Sequence, residues 1–153
     1  MAIKKVLFVC TGNTCRSPMA AALALQALRE LYPARDDIVF ASAGITPLED
    51  MSASSQAVTV MKEHGLTLKE HRSKKVTRQD IEQATLVLSM TQLHRDWLIN
   101  MAPQSEGKIF SLAEYVGLTG DVTDPFGGDV NIYRRVANQL DKLVRKALDK
   151  FIA

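Results

Sequence analysis

The stretch VLFVCTGNTCRSPMA, residues 6–20, decides the reading of this chain. Val6-Leu7-Phe8-Val9 carries no polar residue, the pattern of a short strand buried on both faces of a parallel sheet. Ser17-Pro18 predicts a helix start, with serine as cap and proline at the first helical position, and Met19 to Leu31 continues as alanine- and leucine-rich helix. Between strand and helix lies Cys10-Thr11-Gly12-Asn13-Thr14-Cys15-Arg16. Gly12 lets such a loop curl until backbone N–H groups turn inward, and the helix behind it adds unpaired donors and the positive end of its dipole. The result is a nest for an oxyanion. Arg16 adds a planar fork matched to two phosphate oxygens, and the same positive surroundings favour the thiolate of Cys10, a good nucleophile. A cysteine that closes a strand is more often a small core residue when it stands alone. Here it is followed by five residues, an arginine and a serine, set between strand and helix, and that conjunction points to chemistry. Cys10 and Cys15 lack the two-residue spacing of a dithiol redox motif.

Outward from this stretch the chain alternates. Ile38 to Ala41 predicts a second strand closed by Ser42-Ala43-Gly44, and a helix from about Ser54 to Glu63 stops at His64-Gly65. Thr77 to Glu82 predicts a short helix with Thr77 as cap and Asp80 three residues on. Leu86 to Met90 is a third strand, Thr91 to Asn100 a helix, and Lys108 to Phe110 a short fourth strand. Pro103–Gly107 and Gly117–Gly128 look irregular, and Asn131 to Phe151 places Ile132, Val136, Leu140, Leu143 and Leu148 at helical spacing, a helix expected to pack across the sheet. Strand–helix alternation predicts an open α/β fold, because parallel strands need crossovers and both sheet faces must then be covered. Ligands in such sheets bind at the carboxyl ends of the strands, where Cys10 sits.

Composition limits the alternatives. With 153 residues, 46% apolar and 24% charged, one domain over residues 1–153 with a single core is expected. The charge is nearly balanced, 19 basic against 17 acidic residues, so no general role on nucleic acid or membrane is expected. No apolar run nears the roughly 18 residues of a membrane span and no signal peptide is read at the start, so a cytoplasmic protein is expected, and a monomer is the separate expectation for its assembly. Two cysteines and His64, His71 and His94 do not stand at ligand spacing, so no metal is expected.

CTGNTCRSPMA resembles the phosphate-binding loop of the low molecular weight protein tyrosine phosphatase family. The resemblance extends to Ser42-Ala43-Gly44, to His71 ahead of Ser73-Lys74-Lys75, to the strand LVLSM and to DPFGG at residues 124–128. It implies a four-stranded parallel sheet with helices on both faces, and a phosphoprotein phosphatase that works through a cysteinyl phosphate, a covalent route that calls for no cofactor. Cys10 is then the nucleophile, Arg16 and the loop from Thr11 to Ser17 bind phosphate, and phosphorylated proteins are the substrates. The reaction needs a proton donor opposite the nucleophile. Asp121, Asp124 and Asp129 lie in one loop, and each alone reads as a solvated carboxylate. Asp124 stands out through Pro125, which biases it to extended backbone, and through Gly127-Gly128, which let the loop fold over a pocket. Matching the family's Asp-Pro places the general acid at Asp124. The resemblance further implies that Asn13, Ser42 and His71 support the loop shape, that Ser17 donates to the Cys10 thiolate, and that Cys15 is its redox partner. Taken alone, His71 also reads as a surface histidine and Ser17 as a helix cap.

Substrate choice turns on Thr14. Tyrosine-specific members usually carry a bulky aliphatic residue there, whereas bacterial protein arginine phosphatases carry threonine. An aliphatic wall favours a phenyl ring, and a hydroxyl can meet the N–H groups of a phosphorylated guanidinium. Phe126 with Gly127-Gly128, and Met90-Thr91, also resemble the arginine-directed subgroup, so protein-arginine phosphatase is expected, with tyrosine phosphatase as the alternative. An arsenate reductase would need cysteines beyond Cys15, and this chain has none. A non-catalytic phosphoprotein-binding module would be expected to lack Cys10, Arg16 or Asp124.

Overall fold

The computed structural model describes residues 2–153. Four strands, β1 (Lys4–Cys10), β2 (Ile38–Gly44), β3 (Leu86–Ser89) and β4 (Ile109–Ser111), form one sheet in the order β2-β1-β3-β4, and every pairing is parallel. The central β1 is buried from Val6 to Cys10, as a strand covered on both faces must be. On one face Val6, Phe8, Leu86 and Leu88 pack against helices α1 (Arg16–Leu31), α2 (Ser55–Glu63) and α6 (Val130–Ile152). On the other, Leu7, Val9, Val87 and Ile109 pack against α3 (Arg78–Gln83) and α4 (Gln92–Met101). Strand periodicity of two sends alternate residues of β1 to opposite helical layers, and Cys10 falls on the α1/α6 side with Val6 and Phe8.

Several local expectations change in the folded chain. Helix α1 begins at Arg16, with Cys15 in the cap position and no side-chain cap. Ser17 is therefore not the cap. It lies in the first turn, fully buried, with its hydroxyl turned to the loop. Ser42-Ala43-Gly44 does not close β2 but belongs to it, because Cys10 pairs with Gly44 and a further bridge joins Gly44 to Lys75. Residues Pro103–Lys108 form a 3-10 helix rather than an irregular loop. A short α5 (Leu112–Tyr115) follows β4, started by a capping box between Ser111 and Glu114. Within α6 the core-facing stripe runs from Tyr133 through Val136, Leu140, Leu143 and Leu148, whereas Ile132 is 36% exposed and lies over the Gly128 backbone. The Thr77–Asp80 capping box of α3 is present as the sequence suggests.

The sheet places the carboxyl ends of β1 and β3, the start of α1 and the start of α4 at one edge. Among the described residues no helix is long and apolar enough to cross a membrane. No group of three or more His, Cys, Asp or Glu side chains is placed there to hold a metal ion.

Candidate active site

At that edge a cavity of about 400 Å³ opens over residues 10–16 and is rimmed by Thr46, Leu48, Met51, Asp124 and Phe126. Its floor is the loop from Cys10 to Arg16, whose carbonyls at Cys10, Thr11, Asn13 and Thr14 all accept hydrogen bonds from neighbouring segments.

Asn13 is the keystone. It is fully buried and held at φ 57°, a left-handed conformation that asparagine tolerates better than most residues. Its backbone N–H donates to Cys10 Sγ at 3.3 Å. The side-chain amide donates to Ser17 Oγ (2.8 Å) and Ser42 Oγ (3.0 Å), while its Oδ1 accepts from the Lys74 N–H at 3.0 Å. The Asn13 carbonyl lies 2.6 Å from His71 Nε2, which must be the donor because a carbonyl cannot be. Both donors and the acceptor of this amide are used, which fixes its orientation as well as its position.

Ser17 Oγ lies 3.0 Å from Cys10 Sγ. Because Asn13 donates to that oxygen, the serine hydrogen is free to point at sulfur; its other acceptor, the Ala43 carbonyl, is farther at 3.4 Å. Cys10 thus receives one backbone and one hydroxyl donor, an arrangement that stabilises negative charge on sulfur. The first turn of α1 adds N–H groups without intrahelical acceptors, at the positive end of a 16-residue helix.

β2 closes the loop from the side. Ile45 and Thr46 donate their N–H groups to the carbonyls of Cys10 and Thr11, each at 3.0 Å. Gly44 comes so near that a Cβ there would lie 2.8 Å from the Thr11 carbonyl oxygen and 3.0 Å from Asn13 Cβ, so this position requires glycine. On the far side the Ser54 N–H donates to the Thr14 carbonyl at 2.9 Å.

Arg16 is buried, 4% exposed, and lines the cavity. One guanidinium nitrogen donates to the Val122 carbonyl at 3.0 Å, and another lies 3.6 Å from Asp124 Oδ2. Asp124 is exposed, so this contact is long and weakened by solvent, and most of the guanidinium charge remains available to an anion in the cavity. Asp124 Oδ1 accepts from the Phe126 N–H at 3.1 Å, a local turn that aims the carboxylate at the mouth. Phe126 stands beside it, 81% exposed. Asp121 faces elsewhere, accepting from the Gln92 N–H, and Asp129 caps α6 through the Ile132 N–H. Of the three carboxylates only Asp124 lines the cavity.

Cys10 and Cys15 are both buried free thiols. Cys15 Sγ lies 3.1 Å from the Tyr133 hydroxyl, 3.6 Å from Ser54 Oγ and 3.7 Å from Thr14 Oγ1. Burial and the Cys15 contact push the Tyr133 hydroxyl up to about 12, so it stays a donor for sulfur. Three contributors escape a reading of the sequence: Tyr133, the cavity rim at Thr46, Leu48 and Met51, and His94, whose Nε2 lies 2.8 Å from Thr11 Oγ1. For His94 the available signal is its place, in the first turn of the helix that follows β3, at the strand ends where α/β sheets bind ligands.

The arrangement can seat a tetrahedral anion between a sulfur nucleophile below and a carboxylate above, with a buried guanidinium alongside. Residues 5–152 match the family described as low molecular weight phosphotyrosine protein phosphatase. A protein-arginine-phosphatase of Geobacillus stearothermophilus is 40% identical over 147 residues, covering 95% of each chain. The low molecular weight protein-tyrosine-phosphatase PtpB of Staphylococcus haemolyticus is 37% identical over 142 residues, covering 93% of this chain and 96% of that one. Among solved structures, the low molecular weight protein tyrosine phosphatase of T. tengcongensis superimposes with a TM-score of 0.90 at 41% identity, over 96% of this chain and 99% of that one. A sheet, a cysteine loop and an overhanging aspartate that agree with this match from residue 5 to residue 152 make the chain a member of the low molecular weight phosphotyrosine protein phosphatase family.

Proposed function

We propose that this chain is a cysteine-dependent protein phosphatase whose preferred substrate is phosphoarginine in proteins. The observation that carries the chemistry is the cavity with Cys10 and Arg16 in its floor and Asp124 at its rim. The Cys10 thiolate attacks phosphorus and an S–P bond forms as the bond to the leaving nitrogen breaks. Asp124 gives that nitrogen its proton. In the second step Asp124 takes a proton from water, the hydroxide oxygen bonds to phosphorus, and the S–P bond breaks. Ser17 and the Asn13 N–H then meet the returning thiolate charge. Arg16 and the loop N–H groups stabilise the equatorial oxygens in both steps.

Preference for arginine is supported by Thr14 in the cavity wall and by the protein-arginine-phosphatase relative. The Thr14 hydroxyl can accept from a guanidinium N–H, which a hydrocarbon cannot, and Asp124 at the mouth can pair with the same group. Tyrosine phosphatases of comparable identity favour the second reading, phosphotyrosine. The deciding test is the ratio of kcat/KM for one peptide carrying phosphoarginine against its phosphotyrosine counterpart, in wild type and Thr14→Ile. A ratio well above one that falls by about tenfold or more in the variant supports this assignment. A wild-type ratio below one returns the protein to the tyrosine branch, and an unchanged ratio in the variant removes Thr14 as the selector.

A further inference from the structure

One buried polar side chain near the site has no account in this mechanism. His94, in the first turn of α4, is 9% exposed. Its Nε2 meets Thr11 Oγ1 at 2.8 Å, and its Nδ1 is buried without a hydrogen-bond partner. The ring is launched from a fixed backbone: the His94 N–H donates to Thr91 Oγ1, and the Thr91 carbonyl accepts from Ser89 Oγ at the end of β3. The charged groups that face it are Arg16 from α1 and Asp121 and Asp124 from the loop before α6.

For folding alone this residue is a poor choice. A buried ring nitrogen without a partner is inferior to an apolar side chain of similar size. Thr11, for its part, is exposed, so water could satisfy its hydroxyl. What the Nε2 contact does is fix where Thr11 sits. Thr11 directly follows the nucleophile, and its carbonyl is gripped from the β2 side by the Thr46 N–H and by close approach of Gly44. β3 and α4 flank β1 on the opposite side.

We propose that His94 is a positioning residue for the phosphate loop, clamping Thr11 from the α4 side so that the first turn after Cys10 is set for an incoming phosphoryl group. The inference rests on reading residues 10–17 as a phosphate-binding loop. With the clamp, the loop is held between two neighbours of β1; without it, residue 11 is held from one side only.

The test measures the inhibition constant of inorganic phosphate, together with kcat and KM for p-nitrophenyl phosphate and Tm, in wild type, His94→Leu, His94→Gln and Thr11→Val. His94→Leu should raise the phosphate inhibition constant about tenfold and lower kcat/KM at least as much, while Tm stays level or rises. Glutamine, whose Nε2 can reach the same hydroxyl, should return the constant to within about threefold of wild type. Thr11→Val should reproduce the loss, and the His94→Leu/Thr11→Val double variant should lose no more than either single change. An unchanged phosphate constant in His94→Leu overturns the proposal, and so does a loss that only follows a fall in Tm and that glutamine fails to restore. Should His94→Leu not fold, Thr11→Val carries the test from its exposed position, and an unchanged constant there overturns it. Wild-type protein that phosphate does not inhibit would instead break the reading of the loop itself.

Discussion

The loop that holds Cys10 and the loop that holds Asp124 face each other across one cavity and are built on opposite principles. In the first, a single asparagine side chain and its backbone make contacts to Cys10, Ser17, Ser42, His71 and Lys74, and a glycine strand edge leaves no space beside it. In the second, residues 121–128 are anchored at the ends, through Asp121 and Val122 on one side and Gly128 on the other, with the Asp124 side chain exposed between them. The Val122 N–H donates to the Met90 carbonyl, Arg16 reaches the Val122 carbonyl, and Asp124 itself is exposed. An anion cradle works by being in place before the charge arrives, so rigidity is useful there. The proton donor proposed at Asp124 has to meet leaving groups of different shape and then turn to water, and an exposed carboxylate can do both.

Substitutions can break this comparison in order of expected size. Replacing the proposed nucleophile, Cys10→Ser, should cut kcat by at least about 10⁴-fold while phosphate still binds, since the cradle remains. Steady-state rates beside phosphate titration check it, and retained turnover would rule out the covalent route. Asp124→Asn should slow hydrolysis of poor leaving groups by about 10²–10³-fold and of good ones far less. A panel of aryl phosphates reads the difference, and equal slowing across it would remove Asp124 as the acid. Asn13→Ala attacks the rigid side, stripping a buried network from a left-handed backbone position. It should cost about 2–3 kcal/mol of stability in denaturant melts and lower activity toward good and poor leaving groups alike. A variant that loses activity only toward poor leaving groups would mean that the two loops are not separable.

The smallest expected effect is on pH dependence. Burial and the nearby Arg16 charge lower the His94 pKa to about 4, against roughly 6.5 when unfolded. Between those values the unfolded chain binds the extra proton, so His94 leaves stability untouched above about pH 6.5 and reduces it as pH falls toward 4. Comparing melts of wild type and His94→Gln across that window isolates this contribution from the carboxylates Asp37, Glu63 and Asp80, whose lowered values act at more acidic pH. Parallel curves would show that the ring is not buried neutral.

What the sequence reveals follows the same division. The cysteine loop, the parallel strands and the capping box at Thr77 are legible because their signals lie within a few residues of one another. The start of α1 misleads, because a serine before a proline reads as a cap while its hydroxyl is needed by sulfur across the loop. The helix at Leu112 carries its signal in plain view, Ser111 followed three residues later by Glu114, yet it is only one turn long. Tyr133 leaves no local trace and His94 only its place in the helix after β3, since their partners Cys15 and Thr11 lie 118 and 83 residues away. Only the folded sheet brings such pairs together. Gly44 is visible as a glycine but not as a necessity, which comes from the Thr11 carbonyl pressed against it.

That glycine ties the fate of the enzyme's chemistry to the fate of its fold. Gly44 is wedged against the Cys10 loop, and the next two residues are bonded to the carbonyls of Cys10 and Thr11, so opening the loop would break contacts to β2. The central sheet and this loop are expected to be lost together. Phosphate binding is therefore expected to disappear on heating together with the sheet, and parallel melts followed by circular dichroism and by phosphate binding check this.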